Sequence, residues 1–208
     1  MAKISEAIKT IKGAEQEIIG VGRNDLPEFF KEMDFKVGVE IGVAKGQYSE
    51  ILAKDGLKIY GVDPYLDYDD YHTRDNQARL DGEMSEAIER LKPYDWTLIR
   101  KTSMEAVKDF EDDSLDFVYI DGHHALKFVV EDIFEWSKKV KKGGVISGHD
   151  FVRTTIKKHP FVCHVKQGVR AYADAYGIAD WYVLGRHHFP EDKAETRDRW
   201  RSWLFIRK

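Results

Sequence analysis

Apolar positions change period several times along the chain. Ile4, Ala7, Ile8 and Ile11 recur at helical spacing, which predicts a short amphipathic helix. The stretch NDLPEFFKEM predicts a second helix, ending before the first strand. From Phe35 onward, short apolar runs alternate with helical patterns. KVGVEIG precedes a helix that reaches Leu52 and closes at Gly56. LKIYGVD precedes a long polar stretch and the helix GEMSEAIERL. DWTLIRK leads to TSMEAV, where Thr102 and Glu105 have the spacing of a capping box. SLDFVYID leads to a helix with Leu126, Val129, Val130, Ile133 and Phe134 assigned to one face, and GGVISGHD is the fifth run.

Strands alternating with helices imply parallel βαβ units and a sheet covered on both faces. After the fifth run, a helix around GVRAYADAYG leads to DWYVLG and then SWLFIRK. Only the loop RHHFPEDKAETRDRWR separates those two runs, so they are predicted to pair antiparallel at one edge. The expected fold is α/β, a doubly wound, seven-stranded, mostly parallel Rossmann-like sheet with an antiparallel C-terminal strand pair. The 208 residues suit a single domain over 35–208, preceded by a helical extension over 1–34.

Composition narrows the function. The chain is 42% hydrophobic and 34% charged, as an ordinary globule is. A net charge of -4 argues against nucleic acid or an anionic membrane as the main partner. The cluster Lys138, Lys139, Lys141 and Lys142 reads as the cationic last turn of a helix. Cys163 is the single cysteine, compatible with a reducing compartment. The charged N-terminus lacks a signal-peptide core, and no apolar run reaches membrane-span length. A cytoplasmic protein is the expectation.

Open α/β sheets bind ligands beyond the carboxyl ends of their strands. The candidates are therefore Glu40 to Gly46, Asp63, Lys101 to Ser103, Asp121 to His124, and His149 with Asp150. Gly42 and Gly46 stand where a strand hands over to a helix, which suits a ligand lying close to the backbone. The loop fails the dinucleotide fingerprint, having Ala44 and Gln47 at required glycines, and no P-loop occurs. Asp63 can accept hydrogen bonds from both hydroxyls of a ribose. Glu40, inside an otherwise apolar strand, suits a positive charge. A nucleoside with a cationic, phosphate-free tail fits both, and S-adenosylmethionine is such a molecule.

VGVEIGVAKGQYSE, YGVDPY, DFVYIDGHHALKFVVEDI and KKGGVISGHDF together resemble a class I S-adenosylmethionine-dependent methyltransferase. The resemblance is to the branch of macrocin-type sugar O-methyltransferases, whose fourth strand ends in Asp-Gly-x-His and fifth in Gly-Gly-x-x-x-x-His-Asp. It covers about Val37 to Phe151; the N-terminal helices and Tyr65 to Leu91 match no motif. It implies that Glu40, Gly42, Ala44 and Gly46 line the methionine end of the cofactor. Asp63 would hold the ribose, Ser103 would lie beside the adenine, and Asp121 would border the cofactor. The implied partner is a small-molecule acceptor with a hydroxyl, such as a sugar or natural product; a homo-oligomer is left open.

Methyl transfer to oxygen needs a positioned acceptor whose hydroxyl is made nucleophilic by a base or a metal. Asp121, His124, His149 and Asp150 end neighbouring strands, where either device can be built. The related catechol-type enzymes imply metal ligands at Asp121, His149 and Asp150 and a base at His124. A divalent cation such as Mg2+ could be held by Asp121 and Asp150 with water. The catechol-type enzymes carry a carboxylate where His149 stands, and imidazole is a poorer magnesium ligand, so His149 is either a base or favours Mn2+ or zinc. Asp63 to Gly82 is either a lid over the cofactor or a solvated excursion. Its position favours a lid whose tyrosines could stack on the acceptor, and VRTTIKKHPFVCH is read as another wall of the acceptor pocket. His187 and His188, with Glu191 and Asp192, read as a solvated hairpin loop, and His159 and His164 receive no role. Two other readings remain: a cephalosporin-hydroxylase-like enzyme with different metal chemistry, and a non-catalytic cofactor-binding partner protein.

Overall fold

The computed structural model describes residues 3–67, 77–152, 163–185 and 200–208. Its helices are α1 (Ile4–Thr10), α2 (Leu26–Glu32), α3 (Gln47–Ala53), α4 (Gln77–Leu91), α5 (Ser103–Ala106), α6 (Leu126–Lys139) and α7 (Val165–Ala175). Its strands are β1 (Gln16–Ile18), β2 (Val37–Ile41), β3 (Lys58–Val62), β4 (Trp96–Ile99), β5 (Leu115–Ile120), β6 (Val140–Gly148), β7 (Trp181–Leu184) and β8 (Ser202–Ile206).

The strands form one sheet in the order β1-β7-β8-β6-β5-β2-β3-β4. Neighbours run parallel except at β8, which lies antiparallel to both β6 and β7. The doubly wound α/β architecture and the antiparallel C-terminal pair are as expected. The strand count is not: among the described residues the sheet has eight strands rather than seven. The additional one, β1, is three residues long and carries two polar residues, so it has no legible alternation. Its extended state comes from pairing with β7, Gln16 to Tyr182 and Ile18 to Leu184, a tertiary contact that local propensity does not encode. The C-terminal pair consequently does not form the edge; β1 lies outside β7.

Two apolar cores cover the sheet. One gathers Val39, Ile41, Val118 and Ile120 with Ile133 and Trp136 of α6 and Val169 of α7. The other gathers Ile59, Phe117 and Tyr119 with residues of α1, α2 and α3. Phe30 of α2 stacks on Phe117 of β5 at 4.1 Å between centroids. A smaller cluster joins Val43 and Tyr65 to Ala87 and Leu91 of α4. The buried side of α6 is Val129, Asp132, Ile133, Trp136 and Ser137. Leu126 and Phe134, assigned to that face from the sequence, are exposed. The capping box at α5 is present: the Thr102 amide donates to Glu105 Oε2 at 3.1 Å. Lys138 and Lys139 end α6, whereas Lys141 and Lys142 already belong to β6.

Candidate active site

The chain leaves β2 for β3 on one side and returns through β5 to β6 on the other, so the order reverses between β2 and β5. At that point the two strand ends nearly touch. Gly42 has φ +86°, and a Cβ built on it would sit 2.2 Å from the Asp121 carbonyl oxygen. Only glycine meets both demands.

Glu40 alternates with Val39 and Ile41, so it points to the face occupied by α3. It is 1% exposed, and Ser49 of α3 donates to its Oε2. Burial raises its pKa to about 8, with the Asp121 charge adding to the rise and Ser49 and Arg23 opposing it. Asp63 holds the next loop. Its Oδ2 accepts from the amides of Val43 at 2.9 Å and Ala44 at 3.0 Å. Its Oδ1 accepts from Tyr65 N at 3.0 Å. Burial raises its pKa against those three bonds. The Tyr65 hydroxyl donates to Ala44 O at 2.6 Å, closing the clamp from the other side. Ala44 itself is left-handed, with φ +48°, so the clamp holds a conformation that alanine does not favour.

Asp121, His124, His149 and Asp150 converge beside this turn. His124 Nε2 is 2.5 Å from Asp150 Oδ2 and 3.7 Å from Asp121 Oδ1. His149 Nδ1 is 2.9 Å from Asp150 Oδ1 and 3.8 Å from Asp121 Oδ1. Burial works to lower the His124 pKa, yet the hydrogen bonds and charges of Asp121 and Asp150 prevail and raise it to about 10. The same pairing holds the Asp150 carboxyl well below its usual range, although burial opposes it. Ligand atoms of Asp121, His124 and Asp150 lie within 4.8 Å of one another, close enough to share one cation. His149 Nε2 is buried and has no hydrogen-bond partner among the described residues. Two carboxylates with imidazole nitrogen form a donor set that fits a divalent metal.

Ser103 is turned inward from the β4 end. Its hydroxyl donates to Asp132 Oδ1 and accepts Trp136 Nε1–H at 2.8 Å. Burial raises the Asp132 pKa to about 7. Sequence reasoning missed Asp132, although a carboxylate on the buried stripe of α6 was a readable signal. It also missed Arg23, for which no local pattern gives notice. His164 sits beside the cluster: its amide donates to His124 O at 2.8 Å, and its Nδ1 accepts from Leu126 N at 3.2 Å. His159, His187, His188, Glu191, Asp192, Tyr68 and Tyr71 lie outside the described residues. Among the described residues, no helix is long and apolar enough to cross a membrane.

A reversal point lined this way places the chain among doubly wound α/β domains that bind ligands at the strand ends. More narrowly, it belongs to the methyltransferase-domain family, whose model matches residues 39–151. An O-methyltransferase from Bacillus cereus in complex with SAH superposes with a TM-score of 0.61 at 12% identity, over 89% of this chain and 80% of that one. TomG from Streptomyces achromogenes, an O-methyltransferase of tomaymycin synthesis in complex with SAM, gives 0.61 at 14% identity, over 89% and 79%. The N-methyltransferase NodS from Bradyrhizobium japonicum WM9 gives 0.59 at 13% identity, over 89% and 94%. At these identities the likeness is one of fold. A curated relative, the uncharacterized protein y4gI of Sinorhizobium fredii, is 38% identical over 64 residues, which is 31% of this chain and 7% of that protein.

Proposed function

We propose that the chain is an S-adenosylmethionine-dependent O-methyltransferase acting on a small molecule, of the macrocin-type branch and with a sugar or natural-product acceptor. The observation that carries this reading is the adjacency, across one strand reversal, of the Glu40–Gly42 turn and the Asp121–His124–His149–Asp150 cluster.

When bound, S-adenosylmethionine would supply a sulfonium methyl carbon that an acceptor oxygen attacks in line, breaking the carbon–sulfur bond and releasing S-adenosylhomocysteine. Glu40 faces the cationic end of that molecule and neutralises it once ionised. Asp63 shapes the loop that receives the nucleoside, and a carboxylate accepting three bonds keeps a lone pair for a ribose hydroxyl. Ser103, its proton committed to Asp132 and one lone pair to Trp136, keeps a second lone pair with which it would meet the adenine.

Asp121 and Asp150, with His124 or His149, would hold a divalent metal, Mg2+ or Mn2+. When bound, that ion lowers the proton affinity of the acceptor hydroxyl. His124 is an imidazolium while it sits between Asp121 and Asp150, so it becomes a base only after releasing its proton. His149 is the second candidate base, favoured by its free Nε2. Either histidine takes the hydroxyl proton as the methyl is transferred.

Calorimetry with S-adenosylhomocysteine, with and without magnesium, tests cofactor and metal before any acceptor is known. Micromolar binding is expected; its absence would reject the methyltransferase reading and favour the cephalosporin-hydroxylase-like or partner-protein alternatives.

A further inference from the structure

β1 runs parallel to β7, so its end and the residues after it reach the carboxyl edge of the sheet. The Gly185 amide, just past β7, donates to Val21 O at 2.8 Å. The chain then passes along that edge to α2, seated on β5 by the Phe30–Phe117 stack. This path delivers Arg23, which lies outside the matched residues 39–151.

Arg23 is 7% exposed. Its guanidinium carbon lies 4.8 Å from the centroid of the Tyr48 ring, and Nη1 lies 3.5 Å from Asp121 Oδ2. Its carbonyl accepts the Tyr48 hydroxyl at 2.8 Å. Tyr48 belongs to the first turn of α3, and the next residue, Ser49, donates to Glu40. A buried guanidinium and a buried carboxyl therefore flank one helical turn, directly after the Gly42–Gly46 loop. That pair complements a molecule carrying both an ammonium and a carboxylate. The planar fork of arginine matches a carboxylate with two parallel hydrogen bonds, and the enclosure strengthens them.

We propose that Arg23 is the carboxylate-binding residue of this site, holding the carboxylate of the cofactor's amino-acid tail while Glu40 faces its ammonium. The assignment rests on the cofactor reading above and extends it: a residue outside the matched methyltransferase segment completes the binding site.

The test compares S-adenosylhomocysteine with 5′-methylthioadenosine, the same nucleoside thioether without the amino-acid tail. Calorimetry would be run on the wild type, Arg23→Gln and Arg23→Lys. Arg23→Gln should weaken S-adenosylhomocysteine by about 10- to 100-fold, the worth of a charge-assisted bond. It should leave 5′-methylthioadenosine within about twofold, and Arg23→Lys should be intermediate, since it keeps the charge without the fork. Retained methylthioadenosine binding also reports a folded variant. Equal weakening of both nucleosides would make Arg23 a structural residue and overturn the assignment, as would unchanged S-adenosylhomocysteine affinity. If the wild type binds neither, the cofactor reading fails first and the assignment falls with it.

Discussion

A side chain at Gly42 would collide with the carbonyl oxygen of Asp121, 2.2 Å from the Cβ position. The turn proposed to receive the cofactor is thus also where the ends of β2 and β5 press together. Both roles fall on one glycine, so changing it perturbs the scaffold as well as the site.

Gly42→Ala should lose on the order of 2–4 kcal/mol of stability through backbone clash and a left-handed φ. Gly82, inside α4, is the control: among the described residues an added Cβ there meets nothing within 4 Å. Gly82→Ala should stabilise by about 0.5–1 kcal/mol. Urea titration of both variants reads the contrast. Equal stability of Gly42→Ala and the wild type would refute the collision.

Glu40 predicts a pH dependence. Its folded pKa, about 8, stands above the ordinary 4.5 of a glutamate. The folded state therefore keeps a proton that the unfolded state loses, and stability contributed below that window is lost as pH rises through it. Glu40→Gln removes the ionisable group and should raise stability at about pH 8 by on the order of 4 kcal/mol. It should also weaken S-adenosylhomocysteine, whose ammonium loses its counter-charge. Melting curves from about pH 5 to about pH 8.5 check the first part; a wild type and variant with parallel profiles would contradict it.

Asp63 is expected to act through the loop it holds. Asp63→Ala strands the amides of Val43, Ala44 and Tyr65, at about 1–3 kcal/mol for each one left without water. Stability and S-adenosylhomocysteine affinity should fall together, affinity by roughly 30- to 1,000-fold. Hydrogen exchange at the Val43 and Ala44 amides offers a direct readout. Unchanged protection there would remove the clamp.

The fourth prediction concerns metal. A cation at Asp121 and Asp150 must displace the proton that those carboxylates hold on His124. Affinity for Mn2+ or Mg2+ should therefore rise with pH, by up to roughly tenfold per unit below the His124 pKa. Asp150→Asn should abolish binding, while His124→Gln should flatten the pH dependence. Calorimetric titrations from about pH 6.5 to about pH 8.5 measure both. A pH-independent wild-type affinity would separate His124 from the metal. With any accepted substrate, loss of turnover by roughly 10²- to 10⁴-fold in His124→Gln, with metal still bound, would mark it as the base.

Sequence periodicity alone determined the α/β class and the strand runs from KVGVEIG onward, because buried strands and amphipathic helices write their period locally. The strand ends named Glu40, Asp63, Asp121, His124, His149 and Asp150 as candidates, because ligands of such sheets bind at that edge. Tertiary structure decided what has no local signature. β1 is a strand because β7 offers it an edge. Gly42 is obligatory because Asp121 lies against it. Asp63 faces backbone amides of a loop folded back over it, and Arg23 reaches Asp121 only because β1 carries the chain across the strand ends. Contacts between residues far apart in sequence depend on topology, and topology leaves no period in the chain.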